Sequence, residues 1–273
     1  MTEVKTMTTT EYAGGRMIAE KRDGIGWMIF NQPEKRNAMT YAMWEAIPPI
    51  MADFEADPEV RVVVMKGAGD KAFVSGADIS EFEHMRSSPE QTREYDLSGD
   101  RAHEAMGGLS KPLIAQIRGW CMGGGAAISL DADIRICSEG SNFGVPAAKL
   151  GVGYGYDGIR TLVDLVGPTF AKEIFFLGKP FTAEDARIMG LVNRVVPVEK
   201  LEETVLEYCE IIKNNAPMTI RAAKAAINAA VQDESRRNLS TVSEMVEACF
   251  ASHDYTEGYT AFMEKRKARF LGR

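Results

Sequence analysis

Apolar positions come in short strand-like runs over the first two hundred residues and then change to a helical period. Arg16–Arg22 and Gly24–Phe30 read as two strands around Asp23-Gly24, a hairpin signal. Val60–Lys66 is a β-branched run that reads as a buried strand, and Pro112–Arg118 and Ala132–Ser138 read likewise. Between them, Thr40 can cap a helix ending near Asp57, in which Pro48-Pro49 predicts a kink or a split. Pro89–Ser110 is polar with helical spacing, and Gly119–Leu130 starts glycine-rich and turns into a helix. Strands alternating with helices predict an α/β fold with crossover connections. From Gly158 the pattern is mostly helical, over 158–166, 168–177, 182–190, 199–214, 217–231, 235–250 and 254–267, with a capping signal at Thr182-x-x-Asp185. The chain divides into a flexible N-terminal extension over 1–15, an α/β core over 16–200 and a helical region over 201–273.

Composition narrows the class. A chain of 273 residues with 45% apolar residues can bury about three quarters of its unfolded surface and needs no disulfides. Cys121, Cys137, Cys209 and Cys249 form no C-x-x-C pair, so they read as buried thiols of a reducing compartment and not as a zinc or redox site. Met1–Gly15 has no apolar h-region, and no apolar run reaches the ~18 residues of a membrane span. These features predict a cytoplasmic protein with no membrane partner. A net charge of −7 argues against a nucleic-acid partner. The charge is uneven, however. Residues 262–273 carry five Lys or Arg against one Glu, so an acidic body ends in a basic tail suited to an anionic ligand.

Three glycine-containing stretches are candidates for chemistry. AFVSGADI (72–79) follows a strand and a turn. GWCMGGGAA (119–127) leads into a helix, whose free N–H groups suit a developing oxyanion. GVGYGYDG (151–158) precedes another helix. GWCMGGG is not a Walker A loop, because no Gly-Lys-Ser/Thr follows, nor a G-x-G-x-x-G fingerprint with an acidic residue about 20 positions on.

NQPEKRNAMT, AFVSGADISEF, PLIAQIRGWCMGGGAAISLDADIRICSE and LGKPFTAEDARIMGLVNRVVP, in this order and spacing, resemble the crotonase (enoyl-CoA hydratase/isomerase) superfamily over about residues 16–270. The resemblance implies a ClpP-like spiral of ββα units with a C-terminal helical trimerisation region, and acyl-CoA thioesters as substrates. It implies a homotrimer or a dimer of trimers, and no cofactor or metal, since CoA is part of the substrate. It places the two backbone N–H groups of an oxyanion hole at Ala77 and Gly124. It places CoA contacts at Lys35, Arg36, Ala38, Ser75, Asp78 and Ile79, with Phe262 and Lys265 reaching the CoA of a neighbouring copy.

The chain departs from the family where acid–base chemistry is expected. The resemblance implies one hydratase glutamate at position 127 and a second at 147; both residues are alanine here. The position implied for the carboxylate of dienoyl-CoA isomerases and dehalogenases is Gly155. Tyr154 and Asp157, in the glycine-rich turn, are candidates to approach the acyl pocket as acid or orienting group. Asp131 lies four residues after Ala127, on the same helix face. His84 and His103 fall in the polar segment that lines the acyl pocket in this family. Asp133 reads as structural, His253 as a surface or capping residue, and Glu81 and Glu83 as solvated charges. Two functions fit these residues. One is an acyl-CoA enzyme with a non-hydratase reaction, such as decarboxylation or C–C cleavage. The other is a non-catalytic acyl-CoA-binding or scaffold protein.

Overall fold

A computed structural model describes residues 7–85 and 87–273, without the side chain of Glu83. The hairpin forms where Asp23-Gly24 predicts it, between β2 (Met17–Arg22) and β3 (Ile25–Phe30). Residues Thr8–Tyr12, within the expected extension, instead form β1, antiparallel to β2 at the sheet edge. Alternation in TTTEY is weak, and it is the pairing partner that makes this segment a strand.

Three ββα units follow. Their first strands are β4 (Val62–Gly67), β6 (Leu113–Ile117) and β8 (Ile134–Ser138), which run parallel in one sheet. Their second strands are β5 (Ala72–Val74), β7 (Trp120–Met122) and β9 (Asn142–Gly144), which run parallel in another. Each unit therefore steps the chain along two sheets at once, which makes the spiral. With β10 (Phe181–Thr182) and β11 (Arg194–Val196), the sheets have the orders β1-β2-β3-β4-β6-β8-β11 and β10-β9-β7-β5.

Both faces of the larger sheet are buried, as parallel strands require. On one face Met28, Phe30, Val63, Met65 and Leu113 join the main core with α1 (Tyr41–Ala56) and α3 (Pro89–Gly107). A short α2 (Phe82–Met85) precedes α3. The alternate residues Trp27, Val62, Val64, Ile114 and Ile136 pack on Leu201, Val205 and Cys209 of α8 (Leu201–Asn214). The helical region thus contributes its first helix to the core.

Pro48-Pro49 does not split α1, which runs unbroken because residues on both sides of the pair, from Met43 to Phe54, are buried on one core. The break falls later, in α6 (Tyr156–Leu177), where Gly167 adopts φ 75°, ψ 164° before Pro168. That divides it where the separate segments 158–166 and 168–177 are expected. Between β7 and α6 lie α4 (Gly124–Leu130) and α5 (Ala147–Leu150). Thr182 and Asp185 form a reciprocal capping box on α7 (Ala183–Ile188). Three helices follow: α9 (Pro217–Val231), α10 (Leu239–Ala251) and α11 (His253–Met263). His253 opens α11, but the cap is Ser252, whose hydroxyl accepts from the Tyr255 N–H.

Smaller expectations resolve in the same way. Asp133 is structural: it accepts from the Leu113 N–H and the Lys224 ammonium. Glu81 is not a free solvated charge, since its carboxylate accepts from the Tyr41 N–H at the start of α1. The charge expectation for Glu83 lies outside the described side chains. Burial pushes the Cys121, Cys137 and Cys209 thiols up to about 12. Among the described residues no helix is long and apolar enough to cross a membrane.

Candidate active site

The site is built where the ends of β5 and β7 meet the loop after β3. Asn37 anchors that loop: its side chain accepts from the Gln32 N–H and donates to the carbonyls of Ala68 and Ala72. The loop then pairs with residues 75–78. The Ser75 N–H donates to Arg36 O (3.1 Å), the Met39 N–H to Gly76 O (2.8 Å) and the Asp78 N–H to Met39 O (2.8 Å). In such a parallel bridge the central residue points its own amide the other way. The Ala77 N–H accordingly donates to no group among the described residues.

The second amide comes from the turn between β7 and α4. Gly123 sits at φ 52°, ψ −118° and donates its N–H to Gly144 O at 2.8 Å. Gly125 seats α4 directly on β5: a Cβ there would lie 2.1 Å from Val74 O. As the first helical residue, Gly124 has no intrahelical acceptor for its N–H, and it donates to no other group among the described residues. A Cβ built on Gly124 would be 3.9 Å from the Ala77 nitrogen and 3.4 Å from the Trp44 ring. The structure therefore brings together the two unpaired amides the sequence singles out.

They open on a cavity of about 550 Å³. Ala127 and Ala147 both line it, so the two positions without carboxylates face the same space as the amides. A smaller apolar cavity of about 40 Å³ shares Gly123, Ala127 and Tyr154 with it and reaches Leu162 and Phe175. Tyr154 lines both and packs edge-on against Phe175, with ring centres 5.1 Å apart. Asp157 separates from Tyr154. It lies on the first turn of α6, 78% exposed, 3.7 Å from Arg236, and is not among the residues lining either cavity. One residue of helix, started by Tyr156, is enough to turn Asp157 outward.

His103 also lines the main cavity, whereas His84 is exposed and does not. The His103 Nδ1 lies 2.6 Å from Oδ2 of Asp131, the residue that directly follows α4. With Asp131 ionised, its carboxylate only accepts, and Nδ1 then carries the proton of this bond. The ring also packs on Trp44, with centres 5.6 Å apart. Burial opposes charging of His103, but the charge and hydrogen bond of Asp131, with Asp100 nearby, outweigh it and hold the imidazole above its ordinary value. Burial lifts the Asp131 carboxyl, against the opposite pull of His103 and Arg135. Sequence spacing could not pair these residues, which lie 28 positions apart, on α3 and just past the end of α4.

The segments matched to CoA binding also converge. Lys35, Arg36 and Ala38 run beside Ser75, Asp78 and Ile79 on the two-stranded bridge, and Ile79 reaches the cavity wall. The Lys35 ammonium contacts the buried Asp78 carboxylate at 2.7 Å. Burial disfavours the Asp78 charge, but Lys35 and Ser80 more than compensate and hold the carboxyl below the usual range. Phe262 and Lys265, at the end of α11, are exposed and are not among the cavity residues of their own chain. The basic tail folds back: Asp254 accepts from the Leu271 and Gly272 N–H groups. Arg266 pairs with Glu257, whose carboxyl is held down to about 2 by Arg266 and the Arg269 N–H.

The two-sheet ββα spiral that carries these amides is a fold shared with known proteins. The chain belongs to the enoyl-CoA hydratase/isomerase family, whose family model matches residues 20–273. It is 36% identical to the short-chain-enoyl-CoA hydratase of Clostridium acetobutylicum, over 92% of this chain and 95% of that protein. It is 33% identical to the crotonyl-CoA hydratase of Syntrophomonas wolfei, over 94% and 98%. Among solved structures, the enoyl-CoA hydratase of Bacillus anthracis superposes with a TM-score of 0.85 at 32% identity, covering 94% of this chain and 100% of that one.

Proposed function

We propose that the protein is an acyl-CoA enzyme that stabilises a thioester enolate and does not work as a glutamate-dependent hydratase. In this reading the thioester oxygen lies between the N–H groups of Ala77 and Gly124. Each such donor, aimed at developing negative charge, contributes about 3–4 kcal/mol to the transition state. The CoA moiety runs along Lys35, Arg36, Ala38, Ser75, Asp78 and Ile79, and Tyr154 borders the acyl group. The proposed chemistry uses no further cofactor.

The observation that carries this reading is that Ala127 and Ala147 line the same cavity as the two amides. Adding water across a conjugated double bond needs positioned groups to activate the water and to protonate carbon. Alanine does neither. Cleavage of a C–C bond next to the thioester needs the oxyanion donors first, because the electron pair left on the α-carbon delocalises onto the oxygen they hold. Decarboxylation of a malonyl-type thioester is the simplest such lyase reaction.

Hydration is the second reading, favoured by the names of the Clostridium and Syntrophomonas relatives. Crotonyl-CoA and a panel of 2-carboxyacyl-CoA thioesters, followed by mass spectrometry, separate the two. The expected result is unchanged crotonyl-CoA and loss of carbon dioxide from a 2-carboxyacyl-CoA. Rapid hydration of crotonyl-CoA contradicts the proposal, and tight binding of all thioesters with no product points to an acyl-CoA-binding protein.

A further inference from the structure

The cavity holds one proton-transfer pair that neither alanine position supplies. We infer that His103, oriented by Asp131, is the catalytic acid of this site and delivers a proton to the enolate carbon. The inference rests on the enolate reading above.

Three observations point to it. His103 lines the same cavity as Ala77, Gly124 and the two alanines. Its Nδ1 is committed to Asp131 at 2.6 Å, which leaves Nε2 as the nitrogen available to a substrate. Trp44 bridges the pair to the oxyanion site: its ring lies tilted against the His103 ring, with centres 5.6 Å apart, and meets the Cβ position of Gly124 at 3.4 Å. α4 thus carries an oxyanion donor at its first residue, and Asp131, which orients the acid, directly follows its last.

The step balances without another reactant. Breaking the bond to the departing carboxylate leaves its electron pair on the α-carbon, with the negative charge held on the thioester oxygen by the two amides. The carboxylate departs as carbon dioxide. His103 Nε2–H gives its proton to the α-carbon, the C=O re-forms, and the neutral imidazole regains a proton from water. The negative charges of Asp131 and Asp100 act on His103, and the positive charge of Arg135 acts on Asp131. These charges keep the imidazolium populated for this role.

Two measurements test the inference. The first compares wild type, His103→Gln and His103→Ala on the 2-carboxyacyl-CoA that wild type consumes. General acid catalysis contributes about 100-fold or more. A loss of that size in kcat is expected for both variants, with unchanged affinity for a thioether analogue and partial recovery of His103→Ala by added imidazole. Asp131→Asn is expected to move the alkaline limb of the wild-type pH profile to lower pH. Full activity of His103→Gln, or a wild-type profile flat across the histidine range, overturns the assignment. The second measurement does not need turnover. In protein with 13C-labelled histidine, the His103 Cε1 resonance is expected to shift when the acyl-CoA thioether analogue binds, and an unmoved resonance overturns the inference. Absence of turnover by wild type alongside a shifted resonance would defeat the enolate reading and leave the placement of His103 standing.

Discussion

Gly125 is the residue on which the paired amides depend, because its missing side chain lets α4 rest against β5. With Val74 O only 2.1 Å from a Cβ at that position, Gly125→Ala forces the two elements apart. Overpacking of this kind costs about 1–3 kcal/mol. A lower denaturant midpoint and a large loss of activity are expected together, and a fully active variant of wild-type stability would show that the amide spacing is not set there. At this scale the sequence was half legible. The glycine stretches could be read directly, whereas Gly124 and the alanines at 127 and 147 were singled out through the family resemblance. The His103–Asp131 pair could not be read, because its members lie 28 positions apart, on α3 and just past the end of α4, and only the fold brings them into contact. Asp157 misled for the opposite reason: its neighbours in sequence are at the cavity, but a helix start between them turns it to solvent.

Among elements, the long ones were legible and the short ones were not. Runs of β-branched residues marked β4, β6 and β8, which lie in the larger sheet. Their partners β5, β7 and β9 have three residues each, too few for a period to show, so the second sheet follows from the resemblance to a ββα spiral and not from periodicity. These short strands carry the site, since the segments holding Ala77 and Gly124 follow two of them. Local capping chemistry was legible at α7. Thr182 accepts from the Asp185 N–H while Asp185 accepts from the Thr182 N–H. Thr182→Ala removes half of this box and should lower stability by about 1 kcal/mol, measurable as a shift in the urea midpoint with no change in slope.

For the molecule as a whole, the exposed apolar side chains of α10 and α11 bear on assembly. Phe250, Tyr255, Tyr259, Phe262 and Met263 of α10 and α11 are all more than half exposed. An apolar group of this size is unusual on a free surface. It sits where the family resemblance places contacts between copies. Sedimentation equilibrium is expected to give the mass of three 30.0 kDa chains or six, and a stable monomer would remove the basis for Phe262 and Lys265 as CoA contacts. The uneven charge belongs to this scale too. The basic tail is real, but Glu257 and Glu264 hold Arg266, so fewer of its cations remain for a phosphate than the sequence count suggests.

The central claim is that one thioester oxygen receives both amides in a cavity where positions 127 and 147 carry alanine. A crystal structure with a non-reactive acyl-CoA analogue tests it most directly. The expected result has the oxygen at about 2.7–3.1 Å from the nitrogens of both Ala77 and Gly124, with the acyl carbons between Ala127, Ala147 and His103. An analogue bound with its oxygen away from these amides, or with another side chain placed to activate water over its β-carbon, would contradict the account.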